Sequence, residues 1–534
     1  MAKSLVCLCV TGKTLAEDVA IVEKYKEFID VVELRVDFLE ENERLKIREF
    51  PSMIDVPAIL TIRRKIDGGQ YIEGESTRTM LFARGLAFAQ EDPKKNFAYV
   101  DFEEDFHIPS LEDAAQAFGT RIIRSYHNMS SPIKNIVEKF DELRQNSYEI
   151  PKIAFMPHRL SDVTKVFSEA DKWKNTEQIV CAMGPLGLPT RILSERLHSY
   201  LTYTSPSELL GNLLEIGHTD PITLEKTYHF HSISEKTKIF GITGYPLKIT
   251  SSPELQNGMF EKANLDAVFI PFKSETIEDS LDFAKTLDIQ GFSVTIPHKE
   301  TVIPLIRNID EKAESIGACN TVVRYGDDWK GYNTDALGFE KALLEFTGTK
   351  DLKGKKVAII GGGNVAMDTS RTIKKLGAKD VYVVYRRAEK QMPAERKEIE
   401  DAKEEGIEFL FQTNIIKIVG ADDHGSPNAQ IECVKTELIK KEGETREYPV
   451  NIEGSNFFMD IDFVILAVGS SPNKSVIDKL GLETSRWGYI KVDESYKTSD
   501  EKIYAVGDLI GTRQTVAWAA RSGFECAKSI EKYL

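Results

Sequence analysis

The chain reads as an α/β protein: a (β/α)8 barrel followed by an α/β substrate domain and a Rossmann-like dinucleotide-binding domain. Three observations predict this. Over residues 1–205, short apolar β-rich runs alternate with helical stretches such as LAEDVAIVEKYKEF and IKNIVEKFDELRQN. A second, shorter α/β pattern occupies 238–350. From Gly354 the stretch GKKVAIIGGGNVAMDTSRTIKKLG reads as strand, tight turn and helix, the layout of a dinucleotide-binding turn.

Taken in order, the first eight strands are expected at LVCLCV (5–10), VVELRVDF (31–38), AILTIR (58–63), FAYVDFE (97–103), RIIRSYH (121–127), IPKIAFM (150–156), QIVCAMG (178–184) and LTYTS (201–205). Eight strand–helix alternations over about 200 residues are the pattern of a closed parallel barrel. Residues 206–236, with Pro206, Gly211, Pro221 and the polar SISEKTK, mark a boundary. KIFGITG, DAVFIPF, GFSVTIP and ACNTVVRY supply the next sheet, and the last region adds a charged β-rich middle at 415–462 and a closing strand and helix. Domains are therefore expected at 1–232, 236–350 and 351–534.

Composition narrows the function classes. With 534 residues, 41% hydrophobic and 29% charged, the chain has material for several packed cores. A net charge of −15 argues against a nucleic-acid surface, so anionic small molecules would need local basic pockets. The six cysteines form no CxxC pair and read as reduced, buried thiols, with no metal site implied. The apolar run of six residues in MAKSLVCLCVTGK is too short for a signal or a membrane span, so a cytoplasmic protein, or the mature form of an imported one, is expected.

In a parallel barrel, chemistry gathers at the C-terminal ends of the strands. The second strand places Glu33, Arg35 and Asp37 on one face, the third ends in Arg63, the fifth in His127, and the sixth carries Lys152. A barrel interior desolvates a lysine ammonium and favours the neutral amine of Schiff-base chemistry, and a nearby histidine can move protons. Arginines at the rim suit a carboxylate or a polyhydroxylated acid. The same charges also suit the salt bridges of an ordinary barrel rim. VELRVD, LTIRRKIDGG, SYHNM, IPKIAFMP and AMGPLGLPTR, in this order, closely resemble type I 3-dehydroquinate dehydratase over about 1–230. The resemblance implies Lys152 as Schiff-base lysine on the C3 ketone, His127 as general acid/base, and Glu33, Arg35, Arg63 and Arg191 as substrate ligands. Asp67 stands where the family carries Glu to orient the histidine, and the family's closing loop is represented by GHTDPIT (217–223), without its usual Gln.

The middle region holds few charges and many small polar groups in ITSSP (249–253), VTIPHKE (294–300), ACNTVV (318–323) and GYNTDALGF (331–339). Asn and Thr at caps and strand ends offer donors and acceptors to a polyol, and a Lys/Asp couple can pass a proton during hydride transfer. Singly, Lys299 and Asp335 would be ordinary surface residues; His298 is read as a structural neighbour. Together these motifs resemble the substrate domain of shikimate dehydrogenase over about 236–350. The resemblance implies Lys299 and Asp335 as the catalytic pair, Thr250 and Ser252 on the substrate carboxylate, and Thr295 and Asn320 on its hydroxyls. A dehydratase followed by this module is also the order of the bifunctional plant and chlamydial enzymes.

In the last region Gly361 and Gly363 allow the turn and the close approach of backbone to a pyrophosphate, and Ala366 keeps the helix near the strand. VYVVYRR ends in Arg386 and Arg387, which suit the 2′-phosphate of NADP, though they also suit a solvated strand end. IIGGGNVAMD, VYRRAEKQMPA, ILAVGSSPN (with Gly469) and IYAVGDLIGTRQTV resemble the pyridine-nucleotide half of the glutamate synthase small subunit and related flavoproteins, over about 354–534. Shikimate dehydrogenases usually carry Gly-Ala-Gly-Gly and Asn-Arg-Thr there. In the flavoproteins Asp508 of AVGD would help hold FAD, but the second Gly-rich loop that completes that site has no counterpart upstream.

The resemblances together imply dehydration of 3-dehydroquinate to 3-dehydroshikimate by syn elimination through an imine, then NADPH-dependent reduction to shikimate. The alternative is a barrel that alone is catalytic, joined to a nucleotide- or flavin-binding regulatory or oxidoreductase module. Partners are small-molecule substrates, with neither nucleic acid nor membrane.

Overall fold

The computed structural model describes residues 3–86, 95–208, 217–247, 250–347, 351–419, 430–440, 447–468, 474–485, 488–500, 502–511, and 522, 523, 525, 526 and 529. Gly469, proposed above for the nucleotide, lies outside them, as do Gly211 and Ile249. The chain forms two compact units, Met1–Tyr332 and Asn333–Leu534.

The first unit opens with strands β1 (Leu5–Val10), β2 (Val31–Arg35), β3 (Ala58–Thr61), β4 (Tyr99–Glu103), β5 (Arg121–Asn128), β6 (Glu149–Phe155), β7 (Ile179–Ala182) and β8 (Leu201–Thr204). They lie in the order β7-β6-β5-β4-β3-β2-β1-β8, with β1 paired in parallel to both β2 and β8. The seam between β7 and β8 is bridged where Tyr200 N donates to Gln178 O at 2.7 Å. All eight strands fall where the apolar runs predict them.

Strand alternation sorts the side chains into two layers. Val6, Leu8, Val10, Val32 and Leu34 face the helices and join the main core. Inside the barrel, Val31, Ile59, Ile123, Ile150, Ile179 and Leu201 form an apolar plug toward the N-terminal ends. Above that plug the inward positions become Glu33, Thr61, Asp101, Ser125 and Lys152, all buried. One expectation is corrected: β2 ends at Arg35, and Val36–Phe38 is a 3-10 turn, so Asp37 is not a third strand position. The turn folds its carboxylate back onto Arg35, whose Nε and Nη2 donate to Asp37 Oδ1 and Oδ2 at 2.9 and 2.8 Å.

A six-stranded sheet follows in the same unit: β9 (Lys238–Thr243), β10 (Ala267–Pro271), β11 (Gly291–Val294), β12 (Asn308–Ile309), β13 (Thr321–Tyr325) and β14 (Asp328–Tyr332), ordered β10-β9-β11-β13-β14-β12. Helix Ile277–Thr286 of this module packs against barrel helix Leu160–Glu169, where Phe283 meets Phe167 edge-on at 6.0 Å. Residues of both modules belong to one continuous apolar core. Shared burial of this kind makes the barrel and the sheet one body rather than two beads on a linker.

The second unit begins with helix Thr334–Thr347 and a parallel sheet of β15 (Lys356–Ile360), β16 (Asp380–Tyr385), β17 (Glu408–Phe411) and β22 (Phe463–Leu466), ordered β17-β16-β15-β22. Helix Asn364–Lys375 follows β15 and returns the chain to β16, a right-sized crossover for a parallel pair. The charged region between them and the end is an antiparallel sheet of β18 (Thr413–Val419), β19 (Gln430–Lys440), β20 (Glu447–Asn451) and β21 (Phe457–Asp460). Sequence patterning draws a boundary at 350, whereas the compact unit starts at Asn333 and so includes Asp335. Among the described residues no helix is long and apolar enough to cross a membrane.

Candidate active sites

Strands β1 to β8 bring Glu33, Arg35, Arg63, His127, Lys152 and Arg191 to the wall of one cavity at the C-terminal end of the barrel. Asp67 lines the same cavity. Lys152 stands on β6 with its ammonium 2.9 Å from Asp101 Oδ2 and 3.9 Å from Glu33 Oε1, over the ring of Tyr203 at 4.2 Å. The lysine is buried as expected, yet it is not stripped of partners: the strand positions beside it supply carboxylates. Asp101 also accepts from Ser125 Oγ at 2.6 Å and pairs with Arg63 Nη2 at 2.8 Å. Burial alone would raise the pKa of this carboxyl, but Arg63 and Lys152 outweigh it and hold the group well below the usual range.

The remaining charges are tied in the same way. Glu33 accepts from Thr61 Oγ1 at 2.8 Å and from Cys9 Sγ at 3.1 Å. Arg63 donates to Glu103 Oε1 at 2.9 Å and to Ser125 Oγ at 3.0 Å, and Arg78 pairs with the other Glu103 oxygen. Such a network makes the interior charges tolerable and fixes their positions before any ligand arrives.

His127 sits at the end of β5 with Nδ1 buried and without a hydrogen-bond partner among the described residues. Burial first, then Arg63 and Lys152, push its pKa well below the ordinary imidazole value. The ring is therefore neutral at neutral pH and can accept a proton. Asp67 accepts from Arg64 Nε at 2.7 Å rather than from His127. Arg191, on helix Leu188–Ile192, is fully enclosed and donates through Nη1 to Tyr203 O at 3.2 Å.

Sequence reasoning missed Asp101, Tyr203 and His218, which share this site. Asp101 and Glu103 were legible in principle, because YVDFE repeats on one strand face the charge alternation of VELR. Tyr203 carries no such signal, since only barrel closure brings β8 against β6; His218 lies in GHTDPIT, the stretch read as the closing loop, but nothing in that reading marked the histidine.

In the middle module, Lys299 lies on the one-turn helix His298–Thr301, and its carbonyl accepts from Cys319 N at 2.7 Å. His298 is on that same turn, not on a strand; its ring is buried and Nε2 meets Ser274 O at 2.9 Å, a structural contact. Thr295 follows β11, and its N–H donates to Thr243 O at 3.0 Å. Asn320 is held beside it, its carbonyl accepting from Val294 N at 2.8 Å. Thr250 Oγ1 donates to Ser252 Oγ at 3.0 Å at the start of helix Ser252–Lys262. Asp335 belongs to the second unit, in the first turn of helix Thr334–Thr347.

The Gly-rich turn of the second unit is built on close approaches. A Cβ on Gly361 would lie 2.3 Å from Ala467 O, and one on Gly362 would lie 2.5 Å from the Tyr385 ring. Gly363 caps helix Asn364–Lys375 and has nothing nearer than Pro393 at 4.0 Å, so its outer side is open to a ligand. Ala366 is fully buried against the sheet. Arg386 and Arg387 follow β16; their carbonyls accept from Thr436 Oγ1 at 2.8 Å and from Gln412 N at 3.0 Å, which pins the backbone. Arg387 Nε is buried without a partner among the described residues. The open outer side of Gly363 at the N-terminus of helix Asn364–Lys375 fits the pyrophosphate of a dinucleotide.

Three family matches divide the chain in the same order. Residues 6–234 match Type I 3-dehydroquinase, 242–322 match the Shikimate dehydrogenase substrate binding domain, and 321–523 match Pyridine nucleotide-disulphide oxidoreductase. The bifunctional 3-dehydroquinate dehydratase/shikimate dehydrogenase of Arabidopsis thaliana is 28% identical over 407 residues, covering 72% of this chain and 66% of that protein. Shikimate dehydrogenase (NADP(+)) of Crocosphaera subtropica is 38% identical over 160 residues, 30% of this chain and 55% of that protein. The glutamate synthase [NADPH] small chain of Halomonas elongata is 33% identical over 203 residues, 37% of this chain and 42% of that protein. The chain thus spans from under half to about two thirds of the length of these relatives. It carries, in order, a type I 3-dehydroquinase domain, a shikimate dehydrogenase substrate-binding domain and a pyridine nucleotide-disulphide oxidoreductase region.

Proposed function

We propose that the chain dehydrates 3-dehydroquinate to 3-dehydroshikimate in the barrel and reduces that ketone to shikimate with NADPH. The observation that carries the first step is Lys152, buried within an ion-paired wall and sharing one cavity with the neutral His127. Lys152 passes its proton on and attacks the C3 ketone; loss of water from the adduct leaves an imine. The imine acidifies the C2 hydrogen, and His127 takes it as a proton. The resulting imidazolium returns a proton to the C1 hydroxyl as that bond breaks, so water leaves and the double bond forms. Hydrolysis of the imine frees the product and the lysine. Glu33, Arg35, Arg63 and Arg191 hold the hydroxyls and the carboxylate.

In the second step, NADPH supplies hydride when bound. Thr250 and Ser252 hold the product's carboxylate, Thr295 and Asn320 its hydroxyls, and Lys299 with Asp335 delivers the proton to the ketone oxygen. Gly361, Gly363, Ala366 and Gly469 cradle the dinucleotide, and Arg386 and Arg387 hold its 2′-phosphate. A second reading rests on the third family match: the nucleotide region is of pyridine nucleotide-disulphide oxidoreductase type, which suits a barrel enzyme joined to a separate nucleotide- or flavin-binding module.

Incubating the whole chain with 3-dehydroquinate and NADPH tests both readings. Shikimate formation with matching loss of NADPH absorbance is expected. Accumulation of 3-dehydroshikimate with NADPH unchanged would leave the dehydratase alone, and a yellow purified protein would favour the flavin module.

A further inference from the structure

We infer that His218 is a further substrate ligand of the barrel cavity, its Nε2–H donating to the anionic group that Arg191 and Arg35 attract. This rests on the dehydratase reading and adds a residue to it.

The segment around His218 is held on both sides. Gly217 lies directly on the backbone of Gly184: it has φ +75°, and a Cβ there would fall 2.3 Å from Gly184 O. Thr219 O accepts from Ser205 N at 3.1 Å, and Asp220 caps the next helix by accepting from Thr223 N at 3.0 Å. In this position Nδ1 meets Ser205 Oγ at 2.6 Å, and the ring lines the cavity with Lys152 and Arg191. Nε2 makes no hydrogen bond to any described residue.

The Ser205 contact decides what Nε2 offers. A hydroxyl can donate or accept by rotating. When Ser205 donates to Nδ1, the ring proton sits on Nε2 and points a donor into the cavity; in the reverse arrangement Nε2 offers a lone pair. A bound anion selects the first. Burial, then Arg191, Arg35 and Lys152, keep this ring neutral, so it adds a donor without adding a further positive charge to the wall. A neutral donor beside two guanidiniums recognises a carboxylate by direction rather than by net charge.

The test uses the full chain and reads the barrel alone, through inhibition of 3-dehydroquinate turnover by quinate and by its carboxamide. His218→Ala is expected to weaken quinate inhibition roughly 10- to 100-fold and to raise KM for substrate similarly, the loss of one hydrogen bond to a charged group. Inhibition by the amide should change less than about 3-fold, kcat should hold within a few-fold, and borohydride should still trap the Lys152 adduct at saturating substrate. His218→Gln, which keeps an N–H donor, should restore most of the preference for quinate. Equal effects on quinate and amide, or none on either, overturn the inference and leave the dehydratase reading standing. No turnover by the parent overturns that reading and this one with it.

Discussion

The residues proposed for dehydration and those proposed for hydride transfer are distributed differently over the fold. In the barrel, Lys152, Asp101, Arg63 and Glu103 are joined by contacts of 2.8–2.9 Å within a single packed unit. In the dehydrogenase half, Lys299 belongs to the first compact unit, while Asp335 and the nucleotide turn belong to the second. Covalent chemistry on one bound molecule rewards a wall fixed in advance, because each buried charge must be paired whether or not substrate is present. Hydride transfer joins two separately bound molecules, and the residues proposed for it are divided between the two units. The difference separates what substitution should do in each half.

The sharpest division comes from Lys152→Ala. It removes the imine nucleophile and should abolish dehydration, while NADP-linked oxidation of shikimate continues at the parental rate. Loss of both activities together would erase the contrast between the halves. Next in size, Lys299→Ala or Asp335→Ala should lower kcat for shikimate oxidation by about 10²- to 10⁴-fold, far more than either changes KM. Dehydration should be untouched in both, and an unchanged kcat would remove the pair from the mechanism.

Cofactor choice tests the second unit by itself. The parent should bind NADPH on the order of 10²-fold more tightly than NADH, since two charge-assisted contacts to the 2′-phosphate are lost with NADH. Replacing Arg386 and Arg387 together with Ala should collapse that preference and leave NADH binding nearly unchanged, because the Gly361–Gly363 turn still carries the pyrophosphate. Equal affinities in the parent would make the arginines a solvated strand end.

The smallest effect is on stability and lies at the base of the barrel. His231 pairs with Glu225 at 2.7 Å and Asp30 at 3.0 Å; the bond to Asp30 chiefly, with Glu225, raises its pKa to about 9. A histidine whose folded pKa lies above its unfolded value near 6.5 stabilises fully below that pH and loses the effect as pH rises toward 9. The ring is partly exposed and screened, so the contribution should stay below roughly 1 kcal/mol. His231→Gln should lower Tm at pH 6 and match the parent near pH 10; a constant difference across that range would dismiss the ion pair.

Much of this was legible before any coordinates. The eight barrel strands stand out because each apolar run is short and bounded, and Glu33, Arg35, Arg63, His127 and Lys152 because polar groups interrupt or end runs that are otherwise apolar; Arg191 follows only from the family resemblance. Asp37 was misplaced because alternation cannot see a 3-10 turn that bends a carboxylate back onto its neighbour. Asp101 was overlooked although YVDFE breaks the apolar pattern as VELR does. Tyr203 and His218 come into the site only through closure of β8 on β1 and the packing of Gly217 on Gly184, which are long-range events. The start of the second unit at Asn333 was also hidden: the helix Thr334–Thr347 follows β14 with no Pro/Gly-rich linker between them.

The central claim is that Lys152 forms a covalent imine inside a prearranged wall. Borohydride added to the whole chain with 3-dehydroquinate, followed by intact-mass and peptide analysis, tests it most directly. One substrate-derived adduct on the peptide containing Lys152 is expected in the parent and none in Lys152→Ala. An adduct on another lysine, persistence of the adduct in the variant, or turnover by a parent that borohydride plus substrate neither labels nor inactivates would contradict the account.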